Sequence, residues 1–172
     1  MQGILIVAVV MLLFALISIN RFNMLRKMAD QMFEAFRKPS KDKYDILFRF
    51  VEENRDASQL HEQHRELKEL EALLRQAREE TLAVDQRVEL ENKIADLENK
   101  LLSQQAEKNN LSHRQHESLS DIRDAAKKLD EAKEQYNDVV IHYNNAVFLF
   151  PSNVFAMIFG YKPRKTFKSV IE

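Results

Sequence analysis

Cysteine and tryptophan are missing from this chain, and glycine and proline nearly so. Without cysteine there is no disulfide framework, no thiolate nucleophile and no thiolate metal site. The two glycines, Gly3 and Gly160, are too few for a phosphate-cradling loop, a dinucleotide fingerprint or the elbow that presents a catalytic serine. A net charge of −1 over 172 residues leaves the whole chain without a nucleic-acid signature. The prolines are Pro39, Pro151 and Pro163, so residues 40 to 150 contain neither breaker. That stretch is rich in Glu, Lys, Gln, Arg, Leu and Ala, all good helix formers, and shows no strand alternation. The fold class is all-α.

What is present in excess is one apolar run. Ile4 to Ile17 reads without a polar residue, and Gly3 to Ile19 spans 17 residues. As a helix this is about 25 Å, the short end of a single membrane span. A cleaved signal peptide and a buried core helix are the competing readings. A signal peptide wants a basic n-region and a small-residue cleavage site, whereas only Met1, Gln2 and Gly3 precede the run. Arg21, Arg26 and Lys27 follow it and no Lys or Arg precedes it, which places the C-terminal side in the cytoplasm. The expected location is the cell (inner) membrane, single-pass, N-terminus out.

Charge is unevenly spread. Between Arg21 and Phe50 there are eight basic and four acidic residues; between Glu52 and Glu134, fourteen and twenty-one. The basic juxtamembrane segment and tail suit an anionic leaflet, and equally suit a solvated helix surface with ordinary topology.

Phe22, Leu25, Met28/Ala29, Met32 and Phe36 continue the anchor at helical spacing, so one helix is expected from Ile4 to about Arg37. Lys38 and Pro39 should end it, with Ser40 capping a second helix from near Asp42. The second stripe is Ile46, Phe50, Ala57, Leu60, Leu67, Leu70, Leu74 and Ala77, thinning between Glu52 and Glu66. Near Val84 the register slips, through either a stutter or a tight hairpin around Thr81 to Asp85. A further weak point lies at Asn109 to Ser112. The last long helix is the clearest: Leu119, Ile122, Ala126, Leu129, Lys133, Tyr136, Val140, Tyr143, Val147 and Phe150 fall at 3–4 spacing, flanked by Ala125, Ala132, Val139 and Ala146. Its apolar face is wider than a two-stranded seam and favours a bundle over an extended rod. The expected organisation is an anchor at 1–20, a helical bundle of three to four long antiparallel helices at 21–150, and a short hydrophobic helix with a basic tail at 151–172.

Pro151 should break the last helix, Ser152 should cap a short one of about Val154 to Phe159, and Gly160 and Pro163 should stop it. Val154 to Phe159 is apolar on all sides, so it either caps the bundle or enters the bilayer interface with Lys162, Arg164 and Lys165 toward headgroups. Val154, Phe155, Ile158 and Phe159 with those three bases form the candidate interface.

Tyr136-Asn137-x-x-Val140-x-x-Tyr143-Asn144, then Phe150-Pro151-Ser152-Asn153, Ala156 and Phe159-Gly160-Tyr161-Lys162-Pro163, resembles the C-terminal signature of the LemA family. The anchor, the helical middle and the Asp45-to-Tyr136 spacing are similar too. The likeness covers most of the chain and is specific over residues 136 to 163. The family usually carries a tryptophan soon after the anchor and the run Asp-Leu-Ile-Pro-Asn-Leu; this chain has Phe36 near the first and Asp45-Ile46-Leu47-Phe48-Arg49-Phe50 at the second. The resemblance implies a bacterial single-pass membrane protein with an antiparallel helical bundle, and neither an agreed activity nor catalytic residues. Tyr136, Asn137, Tyr143, Asn144, Phe150, Pro151, Asn153 and Gly160 carry the signature.

The remaining chemistry is histidine. His61-Glu62-Gln63-His64 approaches the zinc-protease motif, but its histidines stand three apart instead of four, and His113-Arg114-Gln115-His116 repeats that spacing. Two such pairs on facing helices would suit zinc; the plainer reading is solvated residues where the stripe thins. No catalytic residue and no cofactor is assigned. The expectation is a non-enzymatic, membrane-anchored interaction or scaffolding module, with the bilayer, an unidentified protein and a second copy of the chain as candidate partners and no nucleic acid. The alternatives are a metal-binding hydrolase or sensor built on the histidines, and a membrane-shaping protein using the anchor and the C-terminal segment.

Overall fold

The computed structural model describes residues 1–55, 61–79, 81–106 and 113–168. Among them are five helices and no strand: α1 (Gln2–Arg55), α2 (His61–Ala77), α3 (Val84–Ala106), α4 (His113–Phe148) and α5 (Ser152–Phe159). α1 to α4 run alternately up and down, with α1 and α4 forming the most extensive pair. The antiparallel bundle with a short C-terminal helix is as the sequence implies.

Pro39 does not end α1. The helix passes through it unbroken to Arg55, so the expected break at Lys38–Pro39 and the new helix near Asp42 are corrected. Ser40 is no cap either; its hydroxyl donates to the Arg37 carbonyl at 2.8 Å. An interior proline costs about 3 kcal/mol or more through the lost N–H and the ring clash. Continuing the helix keeps Phe36, Lys43, Leu47, Phe50 and Asn54 on one buried face with Phe22, Leu25 and Ala29. Leu47, Phe50 and Val51 are nearly wholly buried, and burying each such side chain contributes about 1.5–3 kcal/mol. The tertiary gain therefore outweighs the local rule.

The expected continuous stripe from Ile46 to Ala77 is divided instead between α1 and α2, which lie against each other. Ala57 and Leu60 fall outside the described residues, as do Asn109 to Ser112. α2 ends at Ala77 and α3 begins at Val84, so the register slip is a helical hairpin and not a stutter in one continuous helix. There the Ala83 N–H is held by the Gln86 side chain at 3.1 Å, half of a capping box.

The buried apolar residues form three clusters along the bundle. Farthest from the apolar run, Tyr44, Leu47 and Phe50 meet Leu67, Leu70 and Leu74 of α2, Ile94 and Leu101 of α3, and Leu119 and Ile122 of α4. In the middle, Phe33 and Phe36 meet Val88, Leu129, Tyr136 and Val140. Nearest the apolar run, Phe22 and Leu25 meet Tyr143, Val147 and the buried face of α5. The α4 seam is buried along its length except at Ala126, which is half-buried, and Phe150, which is 81% exposed beyond the helix end. The first turns of α1 are bare: Ile4 to Ile17 touch little of the bundle, and α1 is long and apolar enough to cross a membrane, with a mean hydropathy of 2.7 over its most apolar window.

α4 ends at Phe148, and α5 starts at Ser152, two residues earlier than the spacing suggests. The Ser152 hydroxyl does not accept from α5; it donates backward to the Ala146 and Leu149 carbonyls at 2.6 and 2.9 Å. At the other end Gly160 adopts a left-handed conformation (φ 71°), and Tyr161 N–H returns to the Ala156 carbonyl at 2.9 Å. A side chain at this φ is strained, which is the reason for glycine here.

Candidate functional site

After Gly160 the chain leaves the helix and runs extended from Tyr161 to Lys168 along the bundle. The Tyr-Asn repeat of α4 holds it there. Tyr143 and Asn144 take one stretch of the tail, Tyr136 and Asn137 the next, because residues seven apart share a helix face. The Asn144 amide donates to the Arg164 carbonyl at 2.8 Å and accepts from the Arg164 N–H at 2.9 Å. Asn137 does the same to Phe167, at 2.9 and 2.8 Å. The Tyr143 and Tyr136 hydroxyls donate to the carbonyls of Lys162 (2.9 Å) and Lys165 (3.3 Å). From α3, Asn92 donates to the Thr166 carbonyl and accepts from the Lys168 N–H, at 3.3 and 2.7 Å, and Asp85 accepts from the Lys165 N–H at 3.1 Å. These bonds supply an extended backbone with the partners a sheet would give it. Phe167 anchors the tail, 3% exposed, with ring centroids 4.6 Å from Phe36 and 5.1 Å from Tyr136. Burial pushes the Tyr136 phenol up to about 12, so it stays a donor at any ordinary pH.

The second feature lies between α1, α3 and α4. Glu91 is fully buried, with the Lys133 ammonium at 3.0 Å, the Lys43 ammonium at 3.6 Å and the Tyr44 hydroxyl donating at 2.6 Å. Glu98, also buried, sits 2.5 Å from Lys43. Burial pushes Glu91 upward, but Lys43 and Lys133 together outweigh it and hold its carboxyl below the usual range. Burial prevails over Lys43 at Glu98, with the charge of Glu91 adding to it, so its carboxyl is raised. Lys43 is raised too: burial opposes, but Glu98 and Glu91 prevail. Deeper still, Gln105 donates to Asn54 at 3.1 Å and Asn54 to the Phe50 carbonyl at 2.8 Å. Outside the cluster a cleft of about 530 Å³ opens between α3 and α4, bordered by Glu98, Lys133, Asp130 and Asn137. A raised carboxyl beside a cleft is the setting of many general acids. Here the four charges are turned on one another, and the arrangement joins helices.

Three of the four candidate histidines are described. His64 is half-buried on α2, whereas His113 and His116 are exposed on the first turn of α4; the side chain of His61 lies outside the described residues. Among the described residues no group of three or more His, Cys, Asp or Glu is placed to hold a metal ion.

The candidate interface is split. Phe155 and Ala156 pack onto α1, while Val154, Ile158 and Phe159 are exposed. Of the three basic residues, Arg164 pairs with Asp30 at 2.7 Å and Lys165 with Glu89, so both are engaged with the bundle; Lys162 stands exposed. Among signature residues, Phe150 and Pro151 are exposed and joined by a cis peptide bond, and Asn153 is half-buried.

Sequence reasoning missed Lys43, Tyr44, Glu91, Asn92, Glu98 and Phe167. Lys133 on the α4 seam was the one visible signal, since a lysine amid a strict apolar stripe needs a buried counter-charge. No curated protein and no solved structure matches the chain. A model of the LemA family matches residues 37–171, most of the chain, and with the Tyr-Asn repeat, the glycine-capped α5 and the tail in place, the protein belongs to the LemA family.

Proposed function

We propose that the protein is a single-pass, membrane-tethered interaction module without catalytic chemistry, its bundle on the cytoplasmic side. The observation that carries this reading is α1 itself. One helix holds both the apolar run and the first strut of the bundle, so no linker separates them. A bundle built this way is confined to two dimensions at fixed height and orientation, which raises the local concentration of whatever it binds at the membrane. The excess of Lys and Arg just after the apolar run supports the orientation. The solvated charged faces of α2, α3 and α4 are the surfaces offered to a partner.

In-cell crosslinking with mass spectrometry on the full-length chain tests this. Membrane-fraction crosslinks from α3 or α4 lysines to a distinct protein are expected, together with cytoplasmic labelling of residues introduced on α2. Recovery of the chain in the soluble fraction, or labelling of α2 from outside, overturns the reading.

A further inference from the structure

We propose that residues 148–159 form a second membrane contact, lying in the bilayer interface beside the anchor. The inference rests on α1 being a membrane span.

α5 has two faces. Phe155 and Ala156 are buried against Ala15, Phe22 and Val147. The other face, with the end of α4, presents Phe148 (62%), Leu149 (61%), Phe150 (81%), Met157 (79%), Ile158 (64%) and Phe159 (51%). Six large apolar side chains contributed by one short segment make a patch that soluble monomers rarely leave in water.

The height of this segment identifies what covers it. The Phe155 ring is 5.8 Å from that of Phe14, inside the apolar run. The Tyr161 ring is 4.7 Å from Phe22, and its hydroxyl donates to Asn23 at 2.8 Å, just past Arg21. α5 is thus pinned between Phe14 and Asn23, where the run meets its first charge. Seven residues separate Phe14 from Arg21, about 10 Å of helix, which matches the depth of roughly 5–10 Å at which interfacial helices bury their apolar face. Arg21, Arg26 and Lys162 are exposed beside the segment, placed for anionic headgroups. Gly160 then turns the chain back toward the polar tail groove. The apolar surface is continuous from the anchor onto α5, and the same occupant, the acyl region of one leaflet, covers both.

The absence of tryptophan and cysteine makes the test direct. Met157→Trp and Ile158→Trp each place a single fluorophore on the exposed face of the full-length chain; Ser103→Trp serves as a control on α3, at the far end of the bundle. The proteins are reconstituted into phosphatidylcholine–phosphatidylglycerol vesicles with brominated acyl chains. Quenching by about half or more with a blue-shifted emission is expected at 157 and 158, against about a tenth or less at 103. Flotation of the same samples separates the two readings. Protein that does not float overturns the anchor and this inference together. Protein that floats with residues 157 and 158 unquenched overturns this inference alone. Unquenched probes that instead show concentration-dependent energy transfer between copies assign the face to a second chain and overturn it likewise.

Discussion

The two halves of the α1–α4 pair are built from different materials. Toward the apolar N-terminal run the seam is aromatic, with Phe22, Phe33, Phe36, Tyr136 and Tyr143, and the third layer is an extended tail. Toward the far end the same face of α1 carries Ser40, Lys43 and Asn54, and the third layer is α3 with Glu91, Glu98 and Gln105 turned inward. The contrast follows from what each layer brings with it. An extended tail arrives with its backbone groups unpaired, so the bundle must supply side-chain amides and hydroxyls and can spend the rest of the seam on rings. α3 arrives with its backbone bonds already closed, so any polar group it buries has to be a side chain. Glu91 and Glu98 stand seven apart on one face of α3 with Lys43 paired to both, so a one-turn slip of α3 would strand a charge. We read the ionic layer as fixing register more than adding stability, since buried pairs often contribute little net energy.

The sharpest way to break the comparison is to break the ionic layer. Glu91→Gln leaves Lys43 and Lys133 facing one buried carboxylate fewer, and is expected to cost about 3–5 kcal/mol in chemical denaturation of the detergent-solubilised chain. Replacing Lys43, Glu91, Glu98 and Lys133 together by Met and Leu should recover most of that, because no uncompensated charge remains. If Glu91→Gln costs under about 1 kcal/mol, the layer does not join the helices. The acid response carries a definite sign. Glu91 is depressed in the fold, so its contribution is complete above the ordinary carboxylate range and is lost as pH falls through its folded value. Glu98 is raised, so it takes up its proton first and its protonation is favourable to the fold. Denaturation midpoints measured from pH 7 to 3 should hold or rise slightly and then fall, and the final fall should be shallower in Glu91→Gln.

The aromatic half responds through the tail. Phe167→Ala removes the ring between Phe36 and Tyr136 and carries an upper cost of about 3–5 kcal/mol. The loss is capped by the free energy of docking the tail, because the tail can detach while the helices stay packed. Hydrogen exchange should therefore show the Arg164, Phe167 and Lys168 amides losing protection with the α4 amides unchanged. Simultaneous loss at both would show the tail to be part of the cooperative core.

What could be read from the sequence divides along the same line. The α4 seam was legible because ten positions keep helical spacing, and the Tyr-Asn repeat stood out on it. Its ligand did not, because an extended segment such as Tyr161 to Lys168 has no periodicity and Phe167 is one aromatic among eleven phenylalanines. Pro39 was misread because a local clash is visible in sequence and the compensating burial of Leu47 and Val51 is not. Glu91 and Glu98 were hidden for a different reason: the apolar track Leu90, Ile94, Leu97 and Leu101 marks the inward face of α3, but each glutamate stands one position beside it, and the sequence does not say how far around the helix burial extends. α5 was legible as a helix, while its division into a packed face and a bare one depends on where Phe14 and Phe22 stand.

A smaller cut sharpens the tail clasp. Asn137→Ala removes both the donor to the Phe167 carbonyl and the acceptor for its N–H, and is expected to cost about 1–3 kcal/mol. Asn137→Asp keeps the acceptor alone and should recover part of that loss above the carboxylate range, read as tail protection in hydrogen exchange.

The smallest effect expected is at the rim, where Lys165 meets Glu89 and Lys168 meets Asp96 at 2.5 Å. All four side chains are more than half exposed, so water and salt screen them. Each pair should be worth about 0–1 kcal/mol. Glu89→Lys and Asp96→Lys are therefore expected to shift the denaturation midpoint little, and the shift should vanish in high salt. The value of the measurement lies in its contrast with Asn137. If reversing these charges frees the tail as fully as removing the amide does, the tail is held by electrostatics and would leave the groove as ionic strength rises. If it does not, the tail is held by backbone bonds and one buried ring, and it stays docked whatever the charge of the surface beside it.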